Sequence, residues 1–103
     1  MAKTLTGVVL GLALAAIASR GLAADSGEGA RLANACTSCH GIEGRSVGVT
    51  PSLAGRPVDE LVAMLKAFKD QSVESTIMGR LARGYSDDEI TALATYFSSI
   101  GPQ

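Results

Sequence analysis

This sequence has few of the residues from which most protein sites are built. Its 103 residues include one histidine, two cysteines and four aromatic side chains, and tryptophan is missing. A structural zinc site usually takes four Cys or His ligands, and three residues of these types are too few to build one. Scarce aromatic residues also leave the chain with a small core, and domains of this size commonly need a disulfide, a metal or a cofactor. A large apolar cofactor would complete the core.

Basic charge is scarce as well. Nine Lys and Arg residues stand against ten Asp and Glu residues, which gives a net charge of −1. No basic stripe is present, so the charge pattern excludes a nucleic-acid-binding domain. Beyond residue 25 the chain also shows no internal repeat, no low-complexity segment and no strand-like alternation. The length and these absences favour a single all-α domain.

The N-terminus has the pattern of an export signal. Lys3 supplies a positive charge, residues 5–18 form an apolar run, and residues 21–24 offer small side chains for cleavage. The run is shorter than the roughly 20 residues of a spanning helix, although Arg20 keeps a retained membrane anchor open as an alternative. We expect residues 1–24 to be a cleaved signal peptide and residues 25–103 to be one periplasmic domain. Cleavage after Ala23 or Ala24 removes two of the basic residues and makes the mature chain more acidic.

Both cysteines and the histidine stand together in the motif Cys36-Thr37-Ser38-Cys39-His40. This spacing is typical of a c-type haem attachment site, where each thiol forms a thioether to a haem vinyl group and the histidine binds the iron. A disulfide of the thiol-disulfide oxidoreductase kind is the main alternative, but that fold places a strand before the cysteine pair, and none is visible here. The motif therefore predicts one covalent haem c, held by Cys36 and Cys39, with His40 as an axial iron ligand.

Three helical segments alternate with two loops along the rest of the chain. We expect the first helix to begin with Ser26 as N-cap, and the second to run from Pro57, as a first-turn proline, to about Asp70. A capping box at residues 86–89 predicts the last helix, which is the clearest of the three. The loop after His40 is rich in glycine and proline, and Pro51 or a neighbour could present a carbonyl to the imidazole Nδ1.

Methionine is the usual second axial ligand in electron-transfer cytochromes of this type. Met64 falls on the apolar stripe of the second helix, where we expect it to pack in the core. Met78 lies in the second loop, and a full helix separates it from His40, so the chain can cross to the opposite haem face. We therefore predict Met78 as the second iron ligand. Two filled axial positions indicate an electron carrier and disfavour catalysis at the iron.

The order of these features resembles the class I cytochromes c over the whole mature length. The attachment motif, the proline-bearing loop, and Met78-Gly79 before a final aromatic-bearing helix carry the resemblance. It implies an all-α class I cytochrome c fold with about three main helices around one haem. In that family the first and last helices cross where a small residue packs on an aromatic ring, which corresponds here to Gly29 against Tyr96 or Phe97.

A narrower resemblance rests on three runs, residues 51–56, 76–80 and 82–87. They are similar to the cytochrome subunits of flavocytochrome c sulfide dehydrogenases and to domains of small diheme cytochromes. The resemblance implies a redox partner, a flavin-containing sulfide dehydrogenase subunit that passes electrons to this chain. Many such subunits carry two haem domains, whereas one attachment motif is present here. A free electron carrier and a gas-binding haem protein are the alternatives.

Three arginines in or beside these runs, Arg56, Arg80 and Arg83, have two interpretations. A guanidinium can hold a haem propionate through two parallel hydrogen bonds. Equally, these side chains can be solvated loop charges or contacts to a partner protein.

Overall fold

The computed structural model describes residues 24–101, and all but the last residue of the predicted signal peptide lies outside this range. The helices are α1 (Ala24–Ala33), α2 (Thr37–His40), α3 (Val58–Lys69), α4 (Met78–Ala82) and α5 (Asp87–Ser99), with a 3₁₀ turn at Ile42–Gly44. Residues 24–101 contain no strand, and the prediction of an all-α fold is confirmed. None of the helices in this range is long and apolar enough to cross a membrane.

Two predicted helix starts differ from those observed. Helix α1 begins at Ala24, two residues before Ser26, so the prediction of Ser26 as its N-cap is wrong. Pro57 is the residue that precedes α3 and does not belong to its first turn. Its φ of −58° still suits a helix entrance. Helix boundaries are weakly encoded when several small residues precede the apolar positions, as they do here.

Helix α5 is the central element, because it packs against both α1 and α3. Its buried residues Leu93, Ala94 and Phe97 form one core with Ala33 of α1 and Leu61 of α3. The predicted capping box is confirmed at its start. Ser86 Oγ accepts a hydrogen bond from the Glu89 N–H at 3.1 Å, and the Ser86 N–H donates to Glu89 Oε1 at 2.9 Å.

The expected close crossing of the first and last helices is present at Gly29. A Cβ atom at this position would collide with the Ala92 carbonyl oxygen and lie 3.0 Å from the Tyr96 Cβ. Of the two expected aromatic partners, Tyr96 is therefore the one that faces Gly29. Phe97 packs instead on Gly44, where an added Cβ would lie 2.7 Å from the ring. The same helix thus holds α1 on one side and the loop after His40 on another.

Candidate haem site

The attachment motif occupies a single helical turn. Cys36 directly precedes α2, and its carbonyl accepts a hydrogen bond from the His40 N–H at 2.9 Å. Residues three and four apart share a helix face, so this turn gathers Cys36, Cys39 and His40 on one side. Neither cysteine is in a disulfide, and Cys39 is exposed while Cys36 is half-buried. Burial raises the pKa of the Cys36 thiol, which keeps it protonated at neutral pH.

His40 is buried, with 9% of its surface exposed, and its ring is fixed from one side. Nδ1 lies 2.6 Å from the Pro51 carbonyl oxygen, so the predicted hydrogen bond is confirmed, and Pro51 itself is the partner. A carbonyl only accepts, which assigns the proton to Nδ1 and the free lone pair to Nε2. Gly41, at φ +88°, turns the chain after the histidine toward the loop that brings Pro51 back.

Nε2 of His40 is available to a metal. It has no hydrogen-bond partner among residues 24–101. Every fully buried side-chain nitrogen or oxygen in this range does have a partner, so Nε2 is not fully buried and opens to the surface. A neutral imidazole with one nitrogen fixed and the other free is a typical iron ligand. Two free thiols on the same turn match the chemistry of thioether attachment. The residues of this turn therefore fit a covalently held haem.

Met78 lies on a different element from the motif. It is the first residue of α4, a short helix that the sequence did not predict and that packs against α3. The Gly79 N–H donates to Ser75 Oγ at 2.7 Å, and a Cβ on Gly79 would lie 3.3 Å from the Phe68 carbonyl oxygen. Met78 is half-buried and stands where α4 begins to run along α3.

The expectation that Met64 packs in the core is wrong. It is 39% exposed, whereas Leu61, one turn earlier on α3, is buried. The apolar face of α3 is wider than the surface that α5 buries, and Met64 lies on the uncovered part. Met64 therefore remains a second thioether that a bound group could reach.

Exposed apolar side chains occur both before and after α3 along the chain. In the loop after His40 they are Ile42, Val47 and Val49, and around Met78 they are Ile77 and Leu81. The sequence reasoning missed them, because loops and a five-residue helix are too short or irregular to show a periodicity that marks an apolar residue as exposed. Large exposed apolar residues in so small a protein fit a surface that an apolar group covers.

The three arginines differ in their surroundings. Arg56 lies 3.6 Å from Glu60, one turn further along the chain, which supports its interpretation as a solvated surface charge. Arg80 and Arg83 are exposed and form no ion pair with any carboxylate among residues 24–101. These two cations remain available to an anionic group.

Comparisons with known proteins agree with this arrangement. The family model of cytochrome c matches residues 26–101. The cytochrome subunit of sulfide dehydrogenase from Chlorobaculum tepidum is 41% identical over 69 residues, which cover 67% of this chain and 63% of that protein. Cytochrome c-553 from Nitratidesulfovibrio vulgaris is 36% identical over 84% of this chain and 89% of its own length.

A third relative, the thiosulfate dehydrogenase electron acceptor of Stutzerimonas stutzeri, is 40% identical over 64% of this chain. The match covers 32% of that protein, so the chain spans about a third of its length and less than two thirds of the sulfide dehydrogenase subunit. All three relatives are cytochromes or electron acceptors by name, and the family carries covalently bound haem c. This chain belongs to the cytochrome c family and is an electron-transfer protein of that family.

Proposed function

We propose that this chain is a periplasmic cytochrome c with one haem, which carries single electrons through an iron bound by His40 and Met78. The observation that carries the proposal is the state of His40. Its Nδ1 is held 2.6 Å from the Pro51 carbonyl, while Nε2 has no partner among the described residues. The contact with Pro51 fixes the tautomer that keeps the lone pair on Nε2, and a metal-ligating imidazole needs that nitrogen unprotonated.

The haem, when bound, supplies the one-electron change between ferric and ferrous iron. Cys36 and Cys39 would anchor it on one turn, and the Pro51 carbonyl sets the orientation of the imidazole plane. In the proposed site the soft Met78 thioether raises the reduction potential, because it stabilises ferrous iron. If His40 and Met78 both held the iron, they would leave no position on it for oxygen or a substrate.

Similarity to the sulfide dehydrogenase subunit supports a more specific role for the chain. In this proposal a flavin-containing partner subunit reduces the haem, and the cytochrome passes the electron to a downstream carrier. The sequence runs 51–56, 76–80 and 82–87 support the same assignment. A diffusible carrier without a fixed partner is the second candidate, because cytochrome c-553 matches this chain over 89% of its length.

Export to the periplasm belongs to the proposal, and it is supported by the charge and hydropathy pattern of residues 1–24. The mass of the protein recovered from the periplasm tests it. A mature chain that begins at Ala24 or Asp25 is expected. An intact chain starting at Met1 would contradict the proposed signal peptide.

Two methionine substitutions test the iron ligand in protein produced with the haem-maturation machinery. Met78→Ala should abolish the thioether-to-iron charge-transfer band of the oxidised protein, because it removes the proposed ligand. Met64→Ala is the matched control and should keep the band. The opposite result would move the ligand to Met64. A wild-type protein with no such band, which binds carbon monoxide readily when reduced, would instead support a gas-binding protein.

A further inference from the structure

The stretch that leads into Met78 lies on the surface of the fold, whereas α4 itself packs against α3 with Ala82 buried. Residues 71–77 are all exposed, and α4 contains five residues. Inside the segment, the Ser72 N–H donates to Asp70 Oδ1 at 2.9 Å and the Gly79 N–H donates to Ser75 Oγ at 2.7 Å. These bonds shape the segment locally, and neither ties it to α5. A segment of this kind can move away from an iron unless its ends are held.

Lys69, the last residue of α3, forms a side-chain bridge between the two ends of this stretch. Its Nζ donates to the Tyr85 carbonyl oxygen at 2.6 Å and lies 3.5 Å from Asp87 Oδ1. Among residues 24–101, every side-chain hydrogen bond or ion pair that joins α3 to the chain beyond Met78 comes from this ammonium group. Lys69 and Tyr85 are sixteen positions apart in the sequence, and Met78 lies near the middle of the stretch that the contact closes.

The two groups that Lys69 contacts, the Tyr85 carbonyl and the Asp87 carboxylate, lie at or just before the start of α5. The Tyr85 carbonyl lies outside the hydrogen-bonded ladder of α5, whose first main-chain bond runs from the Ile90 N–H to the Ser86 carbonyl. Asp87 opens α5, which the capping box and the core hold in place. Lys69 therefore connects the end of one rigid helix to the start of another, and the closure reduces the freedom of the chain between them.

We infer that Lys69 is a positioning residue that keeps the Met78 thioether at the iron. This inference rests on the proposed ligation by Met78. Loss of the ammonium group should let the segment open more often, and each opening exposes the iron to a competing ligand. The lysine is partly exposed, with 32% of its side chain accessible, so the effect is limited by solvent screening.

The test compares Lys69→Met with Lys66→Met in the oxidised, haem-loaded protein. Lys66 lies one turn earlier on α3, is exposed, and makes no ion pair with the described residues, so it is a matched control. Added imidazole competes with methionine for the iron. Lys69→Met should bind imidazole about three- to tenfold more tightly than the wild type. Lys66→Met should stay within about twofold of it, since it breaks no such bond. Lys69→Arg should restore most of the difference, because a guanidinium can reach the same oxygens.

Hydrogen exchange separates positioning from general stability. In Lys69→Met the Gly79 amide should exchange faster while the Leu93 amide in α5 keeps its rate. Unchanged imidazole affinity, or equal acceleration at Gly79 and Leu93, would overturn the inference. Failure of the proposed function is distinguishable, because the wild-type protein would then lack the thioether-to-iron band before any lysine is changed.

Discussion

At the scale of single residues, His40 shows how one hydrogen bond prepares a metal ligand. The Pro51 carbonyl holds Nδ1 at 2.6 Å and so selects the tautomer that leaves Nε2 unprotonated. The ring is buried, so it cannot rotate freely into water. Since Pro51 is eleven residues away, the loop between them must keep its shape for the imidazole to keep its orientation.

Gly29 is a second position where a single side chain matters. Gly29→Val should lower the free energy of unfolding by about 1–3 kcal/mol, because the added carbons would force α1 away from the Ala92 carbonyl. Urea denaturation of the haem-loaded protein measures the loss. Gly27→Ala is the control on the same helix, since nothing lies within 4 Å of its added Cβ. It should raise stability by about 0.5–1 kcal/mol through helix propensity. Equal urea midpoints for Gly29→Val and the wild type would contradict the close crossing.

At the scale of elements, α5 organises the molecule. It contacts α1 through small residues, and its Phe97 packs on Gly44 in the turn after the attachment motif. At its start, Asp87 pairs with Lys69 from the end of α3. Its first turn carries Asp87, Asp88 and Glu89, which suit the positive end of a helix. The start of α5 therefore supports both the core and the segment with Met78.

Removal of the α5 cap should show this dependence. Ser86→Ala leaves the Glu89 N–H without its partner and should cost about 1 kcal/mol of stability. Ser86→Asn keeps a capping oxygen and should lose far less. Thermal unfolding followed by circular dichroism measures both variants. The interpretation of this contact as a stabilising cap would be wrong if the two variants melted together with the wild type.

At the scale of the whole molecule, a small core is combined with apolar surface near the proposed site. The described core consists of a few residues of α1, α3 and α5, whereas Met64, Ile77 and Leu81 are exposed. A bound haem would cover apolar surface of this kind and add to the core. Two positive charges also lack a partner, because Arg80 and Arg83 form no ion pair with a carboxylate within residues 24–101.

The proposed partnership can be tested on the native protein. If the chain is a sulfide dehydrogenase subunit, a flavin-bearing protein should remain with it through gentle purification from its own cells. Sulfide should then reduce the haem of the isolated complex rapidly, because the flavin delivers electrons within one assembly. A haem protein that elutes alone as a monomer, and that sulfide reduces slowly, would favour the diffusible carrier.

Local patterns in the sequence predicted the main helical elements and the candidate haem site of this protein. The attachment motif, the capping box of α5 and the helical periodicity of α3 each depend on residues three or four apart, so they can be recognised without a fold. The all-α class was correctly predicted from such local patterns. The close crossing of the first and last helices at Gly29 was correctly predicted from the family resemblance. The four site residues Cys36, Cys39, His40 and Met78 stay predictions about haem binding.

Only the tertiary structure decided the contacts between distant segments. It selected Pro51 as the partner of Nδ1 and Tyr96 as the residue facing Gly29. It also showed that Met64 is exposed, that a short helix, α4, begins at Met78, and that Lys69 reaches Tyr85. Each of these facts depends on which surfaces meet after the chain has folded back on itself. No pattern of neighbouring residues encodes that outcome, because a side chain's burial is set by the elements packed against it.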